Sequence, residues 1–203
     1  GSGKSQILFA LMGLLAGNGR ASGEAICGGR NLLALTPEAL DKAITPKTKW
    51  LILNNPCNPT GAAYNAAELK QLTDVLMRHP NVWVFTDDIY EKLAYDGFKP
   101  ATVLEVEPRL RDRTVTMNGC SKAYAMTGWR IGYLAGPEAA IKAADTLQSQ
   151  STSNPNSIAQ KAAVEALSGP QDSVAMMLAE FAWRRDDIYR RVLDIPGVTT
   201  VKP

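Results

Sequence analysis

The sequence predicts an α/β fold with a mainly parallel sheet and helices on both faces. Four short apolar segments, each bounded by turn-forming residues, predict buried strands. Helical patterns stand between and after these segments, and such alternation is typical of parallel sheets. The segments are continuously apolar, without alternating polar residues, which indicates a sheet covered on both faces.

The predicted strands follow one another along the middle of the chain. They are the apolar runs at residues 49–53, 82–85, 114–117 and 131–135. Trp50 and Trp83 stand in the first two runs, so we expect both side chains to lie in the core. In open parallel sheets, ligands bind beyond the carboxyl ends of the strands. The residues that follow each run are therefore the candidates for a functional site.

Helices are predicted from apolar residues that recur at helical spacing. One helix is expected to begin near Lys4, another to span the leucines at 69–76, and a long one to cover 174–188. Pro155 follows Asn154, an order that predicts a helix start with Asn154 as the cap. On the last helix, Arg185 stands in a run of charged residues, which is typical of a solvated face.

Composition excludes several classes of protein. The chain has 203 residues, of which 45% are hydrophobic and 21% charged, and its net charge of +2 is too small to indicate nucleic acid or a membrane surface as partner. No apolar run approaches the roughly 20 residues that span a bilayer. The three cysteines form no C-x-x-C pair, so neither a metal site nor a disulfide framework is predicted. We expect a cytoplasmic protein.

Polar, turn-rich segments follow the first two predicted strands. Residues 54–61 read Asn-Asn-Pro-Cys-Asn-Pro-Thr-Gly, in which two prolines and a glycine would hold Asn58 rigidly at a strand end. The alternative is a rigid turn with no other role. Asp87 follows the second strand, where a carboxylate can pair with a cationic nitrogen or a metal, or can cap a helix.

The segment after the third strand carries the most chemical information. Lys122 lies just past the strand among small and apolar residues, where a lysine amine can be desolvated and made nucleophilic. Arg130 could clamp an anion through two parallel hydrogen bonds. Taken alone, a lysine and an arginine that flank a loop are more often surface charges.

Together these segments resemble the fold-type I, class I aminotransferases of the aspartate aminotransferase-like group. Residues 54–61 match the N-P-x-N-P-T-G signature of that family, and residues 87–90 match its D-x-x-Y element. The run at 121–133, Ser-Lys-Ala-Tyr-Ala-Met-Thr-Gly-Trp-Arg-Ile-Gly-Tyr, is highly specific to it. The resemblance is convincing from about residue 35 to about residue 172, and it implies the large domain of that fold.

The resemblance implies pyridoxal 5'-phosphate as the cofactor, with Lys122, Asp87 and Tyr90 as catalytic residues and Asn58 as a further cofactor contact. Lys122 would carry the cofactor covalently and move the substrate proton. Asp87 would pair with the pyridine nitrogen, so that the ring can accept electrons. Tyr90 and Asn58 would hydrogen-bond the phenolic oxygen of the ring. No metal is implied.

The same resemblance implies a phosphate site. Ser121 and Arg130 would hold the phosphate, and Gly3, Lys4 and Ser5 would add backbone amides at a helix N-terminus. The family's ring-stacking aromatic has no evident counterpart in this chain. The same is true of the arginine that binds the substrate carboxylate.

The implied activity is transamination between an L-amino acid, with aspartate as the favoured donor, and a 2-oxo acid. We expect an incomplete cofactor-binding large domain at residues 1–193, the start of a small domain at 194–203, and a homodimer. Two alternatives stay open. The Gly-Lys-Ser sequence at 3–5 with Asp87 or Asp88 could belong to a P-loop nucleotide binder, although the earlier glycine and the strand of that motif are missing. The chain could also be a catalytically inactive aminotransferase-like fragment.

Overall fold

The computed structural model describes residues 26–27, 30–31, 36–58, 61–200 and 202. Gly3, Lys4 and Ser5, with the helix predicted near Lys4, lie outside the described residues. The first described elements form a short antiparallel pair, β1 (Ile26–Cys27) and β2 (Arg30–Asn31). No helix among the described residues is long and apolar enough to cross a bilayer.

The centre of the fold is a four-stranded sheet in the order β3-β4-β5-β6. Its strands are β3 (Trp50–Asn54), β4 (Trp83–Asp87), β5 (Thr114–Gly119) and β6 (Gly132–Ala135). The first three are parallel, and β6 pairs with β5 in the antiparallel direction. The predicted mainly parallel sheet is therefore confirmed, and each strand begins within one residue of its predicted start.

Helices flank this sheet. They are α1 (Pro37–Ala43), α2 (Ala66–Arg78), α3 (Val103–Val106), α4 (Glu138–Ser151), α5 (Ser157–Ser168) and α6 (Asp172–Leu193), with 3-10 turns at Pro108–Arg113 and Thr127–Trp129. The cap predicted for α5 was wrong by two residues. Asn156, not Asn154, accepts hydrogen bonds from the amides of Ile158 and Ala159, because its side chain is the one placed at the free N–H groups of the first turn.

The core lies between one face of the sheet and helices α2 and α3. Val84 of β4 is fully buried there against leucines of α2 and Val103 of α3. The expectation that Trp50 belongs to the core was wrong, since 46% of its surface is exposed. Side chains alternate between the faces of a strand, and Trp50 and Ile52 point away from the core. On that face, the ring centroids of Trp50 and Trp83 lie 5.4 Å apart.

Arg113 joins the end of α2 to the sheet. Its guanidinium donates hydrogen bonds to the backbone carbonyls of Leu76 (2.7 Å), His79 (2.8 Å) and Val82 (2.5 Å). Leu76 lies in the last turn of α2, and His79 and Val82 belong to the connection that leads to β4, so the cation joins the end of the helix to the start of the strand. Because the side chain is partly buried, its pKa is lowered from the usual value.

Candidate active site

A cavity of about 780 Å³ lies beyond the carboxyl ends of β3, β4 and β5. Three segments of its wall directly follow those strands, and a fourth comes from α6. In the parallel register, Asn54 of β3 is opposite Asp87 of β4, and Asp87 is opposite Met117 of β5. The strands therefore end side by side, and the polar segments that follow them are brought together.

The segment after β3 holds Asn58 through short backbone contacts. The amide of Asn58 donates to the side-chain oxygen of Asn54 over 3.0 Å. The amide of Gly61 donates to the carbonyl of Cys57 over 2.9 Å, and the φ angle of Gly61 is +71°, a conformation that favours glycine. The side-chain amide of Asn58 then donates to the hydroxyl oxygen of Tyr90 over 2.8 Å.

Asn55 fixes the end of β3 against its neighbours. Its side chain is buried and donates to the carbonyl of Ala101 over 2.9 Å, while its oxygen accepts from the amide of Tyr64 over 2.8 Å. Its backbone amide donates to the carbonyl of Asp87 over 3.1 Å. A buried amide with these partners holds the turn rigidly. The peptide bond from Asn55 to Pro56 is cis.

Asp87 lies at the last position of β4 and is half-buried. Burial raises the pKa of its carboxyl group, and hydrogen bonds from the Ile89 amide and the Asn54 side chain oppose that rise. Within the described residues, no cationic side chain forms an ion pair with Asp87. The segment that follows is a turn, not a helix, so Asp87 does not serve as a helix cap. Asp87 is not among the residues that line the cavity.

The neighbouring Asp88 is more deeply buried than Asp87, with 2% of its surface exposed. Its carboxylate accepts a hydrogen bond from the Thr86 hydroxyl over 2.5 Å. Burial raises the pKa of Asp88 to about 6, the Thr86 hydrogen bond lowers it, and the negative charge of Glu91 adds to the rise.

Lys122 and Ser121 line the cavity on a turn that follows β5. The amide of Ala125 donates to the carbonyl of Lys122 over 3.2 Å, which closes the turn. The Lys122 ammonium lies 5.7 Å from the ring centroid of Tyr90. The structure thus brings Asn58, Tyr90, Ser121 and Lys122 to one cavity.

Arg130 occupies a different position from these four. It is exposed, its φ angle is +52°, and its guanidinium donates to the carbonyl of Thr127 over 3.0 Å. It is absent from the lining of the cavity. Of the predicted site residues within the described part of the chain, Asp87 and Arg130 therefore lie outside the lining.

Helix α6 contributes to the cavity wall, which the sequence did not predict. Arg185, expected on a solvated face, is only 7% exposed and lines the cavity with Phe181. Its guanidinium pairs with Asp96 at 2.9 Å and lies 4.5 Å from the ring centroid of Tyr95. Asp96 is distant in sequence, so the pair could not be predicted. The spacing of Phe181 and Arg185, one helical turn apart, is the one signal that they share a face.

Residues 30–203 match the family model described as aminotransferase class I and II. An aspartate/prephenate aminotransferase of Cereibacter sphaeroides is 59% identical over 169 residues, which are 83% of this chain and 42% of that protein. An aspartate aminotransferase of Rhizobium meliloti is 51% identical over 172 residues, which are 85% of this chain and 42% of that protein. The chain thus spans less than half the length of these curated relatives.

Solved structures give the same result at the level of the fold. The crystal structure of the aspartate aminotransferase from Rhizobium meliloti superposes with a TM-score of 0.81 at 44% identity, over 100% of this chain and 56% of that chain. The aromatic aminotransferase from Pyrococcus horikoshii superposes with a TM-score of 0.77 at 35% identity, over 84% of this chain and 45% of that chain.

Proposed function

Because the chain belongs to the class I and II aminotransferases, we propose that it binds pyridoxal 5'-phosphate through Lys122 and serves transamination between an L-amino acid and a 2-oxo acid. The observation that carries this proposal is the cavity in which Lys122 lies beside the hydrogen-bonded pair of Asn58 and Tyr90. The names of the relatives support aspartate as an amino donor.

The groups around the cavity fit the functional groups of the cofactor. A lysine amine can condense with its aldehyde, and the side chains of Asn58 and Tyr90 can donate hydrogen bonds to its phenolic oxygen. The Ser121 hydroxyl is a donor for phosphate at the same cavity. Once bound, the cofactor supplies an electron sink that stabilises negative charge on the substrate α-carbon.

Asp87 is proposed to bind the protonated pyridine nitrogen of the cofactor. Asp87 lies at the strand end next to the cavity lining, its carboxyl group is hydrogen-bonded by the Asn54 side chain, and burial raises its pKa. A cation placed against the carboxylate would reverse that rise, because opposite charges favour the ionised form. The half-buried position of Asp87 is thus suited to a ligand with a positively charged nitrogen.

Lys122 is proposed to act also as the general base that takes the proton from the substrate α-carbon. A base must come within hydrogen-bond distance of that proton, and a flexible lysine at a cavity wall can do so. Lys122, Asp87 and Tyr90 form the proposed catalytic set.

Arg130 and Ser121 are proposed to hold the phosphate, with backbone amides of Gly3, Lys4 and Ser5. For Arg130 this requires its guanidinium to exchange the Thr127 carbonyl for a phosphate oxygen, a stronger, charge-assisted partner. The contribution of residues 3–5 rests on the sequence resemblance.

The domain bounds, the oligomeric state and the cellular location of the protein are also proposals. We propose that residues 1–193 belong to the cofactor-binding large domain and 194–203 to the start of a small domain. A homodimer and a cytoplasmic location complete the proposal. The P-loop alternative finds no support in a family match that covers residues 30–203. An inactive aminotransferase-like fragment would belong to the same family, and experiment must separate it from an active enzyme.

The proposed function is tested by adding pyridoxal phosphate to the purified chain and recording its absorbance spectrum. Borohydride reduction and peptide mapping then locate any covalent adduct, since hydride converts the lysine–aldehyde condensation product into a stable secondary amine. We expect a visible band and a pyridoxyl group on Lys122. Lys122→Ala should abolish both, whereas Lys161→Ala, on an exposed face of α5, should leave them unchanged. A wild-type chain without the band would contradict the proposal.

A further inference from the structure

Tyr124, two residues beyond Lys122, connects the lysine turn to two other parts of the fold. The ammonium of Lys92 donates to the Tyr124 hydroxyl oxygen over 2.9 Å, and the hydroxyl donates to the side-chain carbonyl of Gln171 over 2.9 Å. The side-chain NH₂ of Gln171 donates in turn to the carbonyls of Gly169 (2.8 Å) and Ala166 (3.0 Å). The hydroxyl therefore has a donor on one side and an acceptor on the other.

These contacts link three segments that meet at or near the cavity. Lys92 follows Tyr90 by two residues, so its ammonium connects the Tyr90 segment with the Lys122 turn. Gln171 precedes the first residue of α6, the helix that brings Phe181 to the cavity. Lys92 also lies 5.3 Å from the ring centroid of Tyr124, within range of a cation–π interaction.

The Lys122 turn requires such external support. Ala125 has a φ angle of +52°, in the left-handed region that is unfavourable for a residue with a Cβ atom. A backbone of this kind persists only where surrounding contacts hold it. Within the turn, the hydrogen bonds that close it are long, at 3.3 Å from Tyr124 to Cys120 and 3.2 Å from Ala125 to Lys122.

We infer that Lys92, Tyr124 and Gln171, hereafter the Tyr124 network, position Lys122 for reaction with the cofactor. The inference rests on the proposed function and adds three positioning residues that are not among those lining the cavity. The network restricts the turn to the conformation in which the Lys122 amine faces the cavity. When the competent conformation is only a fraction of the population, the apparent affinity and the capture rate are multiplied by that fraction.

The first test is Tyr124→Phe, which removes one oxygen atom and keeps the ring. Capture of pyridoxal phosphate on Lys122 is followed by borohydride quenching and peptide mapping at subsaturating cofactor. We expect capture to slow about tenfold, the equivalent of one charge-assisted hydrogen bond. The induced circular dichroism of the bound cofactor should change as well, because it reports the orientation of the ring. Tyr189→Phe on α6 is the matched control, since the Tyr189 hydroxyl makes no contact of this kind within the described residues.

A second measurement needs no cofactor. Reductive methylation with formaldehyde labels lysine amines, and the extent of labelling at Lys122 is compared with that at the exposed Lys161 by peptide mapping. We expect the ratio of Lys122 to Lys161 to rise in Tyr124→Phe, because a released turn exposes the amine. Lys92→Met should behave like Tyr124→Phe, and Lys92→Arg, which keeps the charge and the donor, should restore values close to those of the wild type.

The outcomes separate the two proposals. If the wild type captures no cofactor, the proposed function is overturned, and the methylation ratio still decides whether the network holds the turn. If the wild type captures cofactor and Tyr124→Phe and Lys92→Met match it in both measurements, the inference is overturned alone. Melting temperatures distinguish a loss of positioning from a loss of stability. A general loss of stability would lower the melting temperature of both Lys92→Met and Lys92→Arg, whereas a loss of positioning affects capture and methylation in Lys92→Met alone. If Tyr124→Phe fails to fold, Gln171→Ala takes its place, because it removes the acceptor of the Tyr124 hydroxyl. The same slower capture and the same rise in the methylation ratio are then expected, and wild-type values in both measurements would overturn the inference.

Discussion

The side-chain amide of Asn58 donates a hydrogen bond to the Tyr90 hydroxyl oxygen over 2.8 Å. This contact joins the segment after β3 to the segment after β4 at the cavity that also holds Lys122. The position of Asn58 is fixed in turn by the hydrogen bond from its backbone amide to the side-chain oxygen of Asn54. The two donors proposed for the cofactor oxygen therefore form a unit and should not act independently.

Asn58→Ala and Tyr90→Phe should each weaken the binding of pyridoxal phosphate, and their effects should not add. Because each side chain orients the other, we expect a coupling energy of about 0.5 to 1.5 kcal/mol in a double-mutant cycle. Dissociation constants from absorbance titration give this quantity. Additive effects would mean that the observed hydrogen bond does not influence the cofactor.

Asp87→Ala should weaken cofactor binding and should nearly abolish exchange of the α-proton of L-aspartate in deuterated water. The reason is the loss of the anion proposed to keep the pyridine nitrogen protonated. Asp87→Asn, which keeps the shape but not the charge, should bind the cofactor better than Asp87→Ala and exchange protons equally poorly. If Asp87→Ala exchanges protons at the wild-type rate, Asp87 is not the partner of the nitrogen.

Asp88 should make the chain less stable as the pH rises. Burial raises its folded-state pKa to about 6, above the ordinary value of 3.8. Between these values the folded chain binds more protons than the unfolded chain, so the stabilising contribution of Asp88 is complete below the lower value and is lost as the pH passes the higher one. Asp88→Asn should therefore gain stability relative to wild type, by about 1 to 3 kcal/mol, as the pH rises from about 4 to about 7.

Urea unfolding of both proteins over this pH range measures that difference. Only the difference is informative, because lowered carboxyl pKa values elsewhere, as at Glu107, give a pH dependence of the opposite sign. Asp145→Asn, on an exposed position of α4, is the control for the removal of one carboxylate. A constant difference between Asp88→Asn and wild type would show that Asp88 keeps an ordinary pKa in the folded chain.

Arg113→Ala should lower the free energy of unfolding by about 2 to 3 kcal/mol, since three backbone carbonyls near the end of α2 lose a charged donor. Chemical denaturation measures this loss. Arg111→Ala, an exposed neighbour, should change stability by less than about 0.5 kcal/mol. Equal effects of the two substitutions would indicate that the loss comes from the helical turn and not from the carbonyl contacts.

The sheet could be predicted well because each strand is a short apolar run that ends at turn-forming residues. The same rule placed Asn58, Tyr90 and Lys122 near one another, since parallel strands end at one edge. The antiparallel direction of β6 could not be predicted, because the turn between β5 and β6 is long and contains no hairpin signal. The exposure of Trp50 depends on what covers the second face of the sheet, which a strand pattern does not reveal.

Contacts between residues far apart in the chain could not be predicted from the sequence for a different reason. Arg185 and Asp96 are far apart in the chain, and a charged helical run gives no indication of which charge will turn inward. The same limit applies to Lys92, Tyr124 and Gln171, whose hydrogen bonds depend on tertiary structure. Among the described residues, local patterns identified the groups proposed to touch the cofactor, whereas their supporting contacts were visible only in three dimensions.

Because β3, β4 and β5 are aligned at their carboxyl ends, inserted residues should have different effects before the strands and within them. At the amino ends, we expect one residue added to the connection before β4 or β5 to leave Asn54, Asp87 and Met117 in register, although it disturbs the Arg113 contacts with His79 and Val82. One residue inserted within a strand would instead turn every later side chain of that strand to the opposite face. Among insertions within β4 and β5 and in the connections that precede them, only those in the connections should therefore retain the cavity.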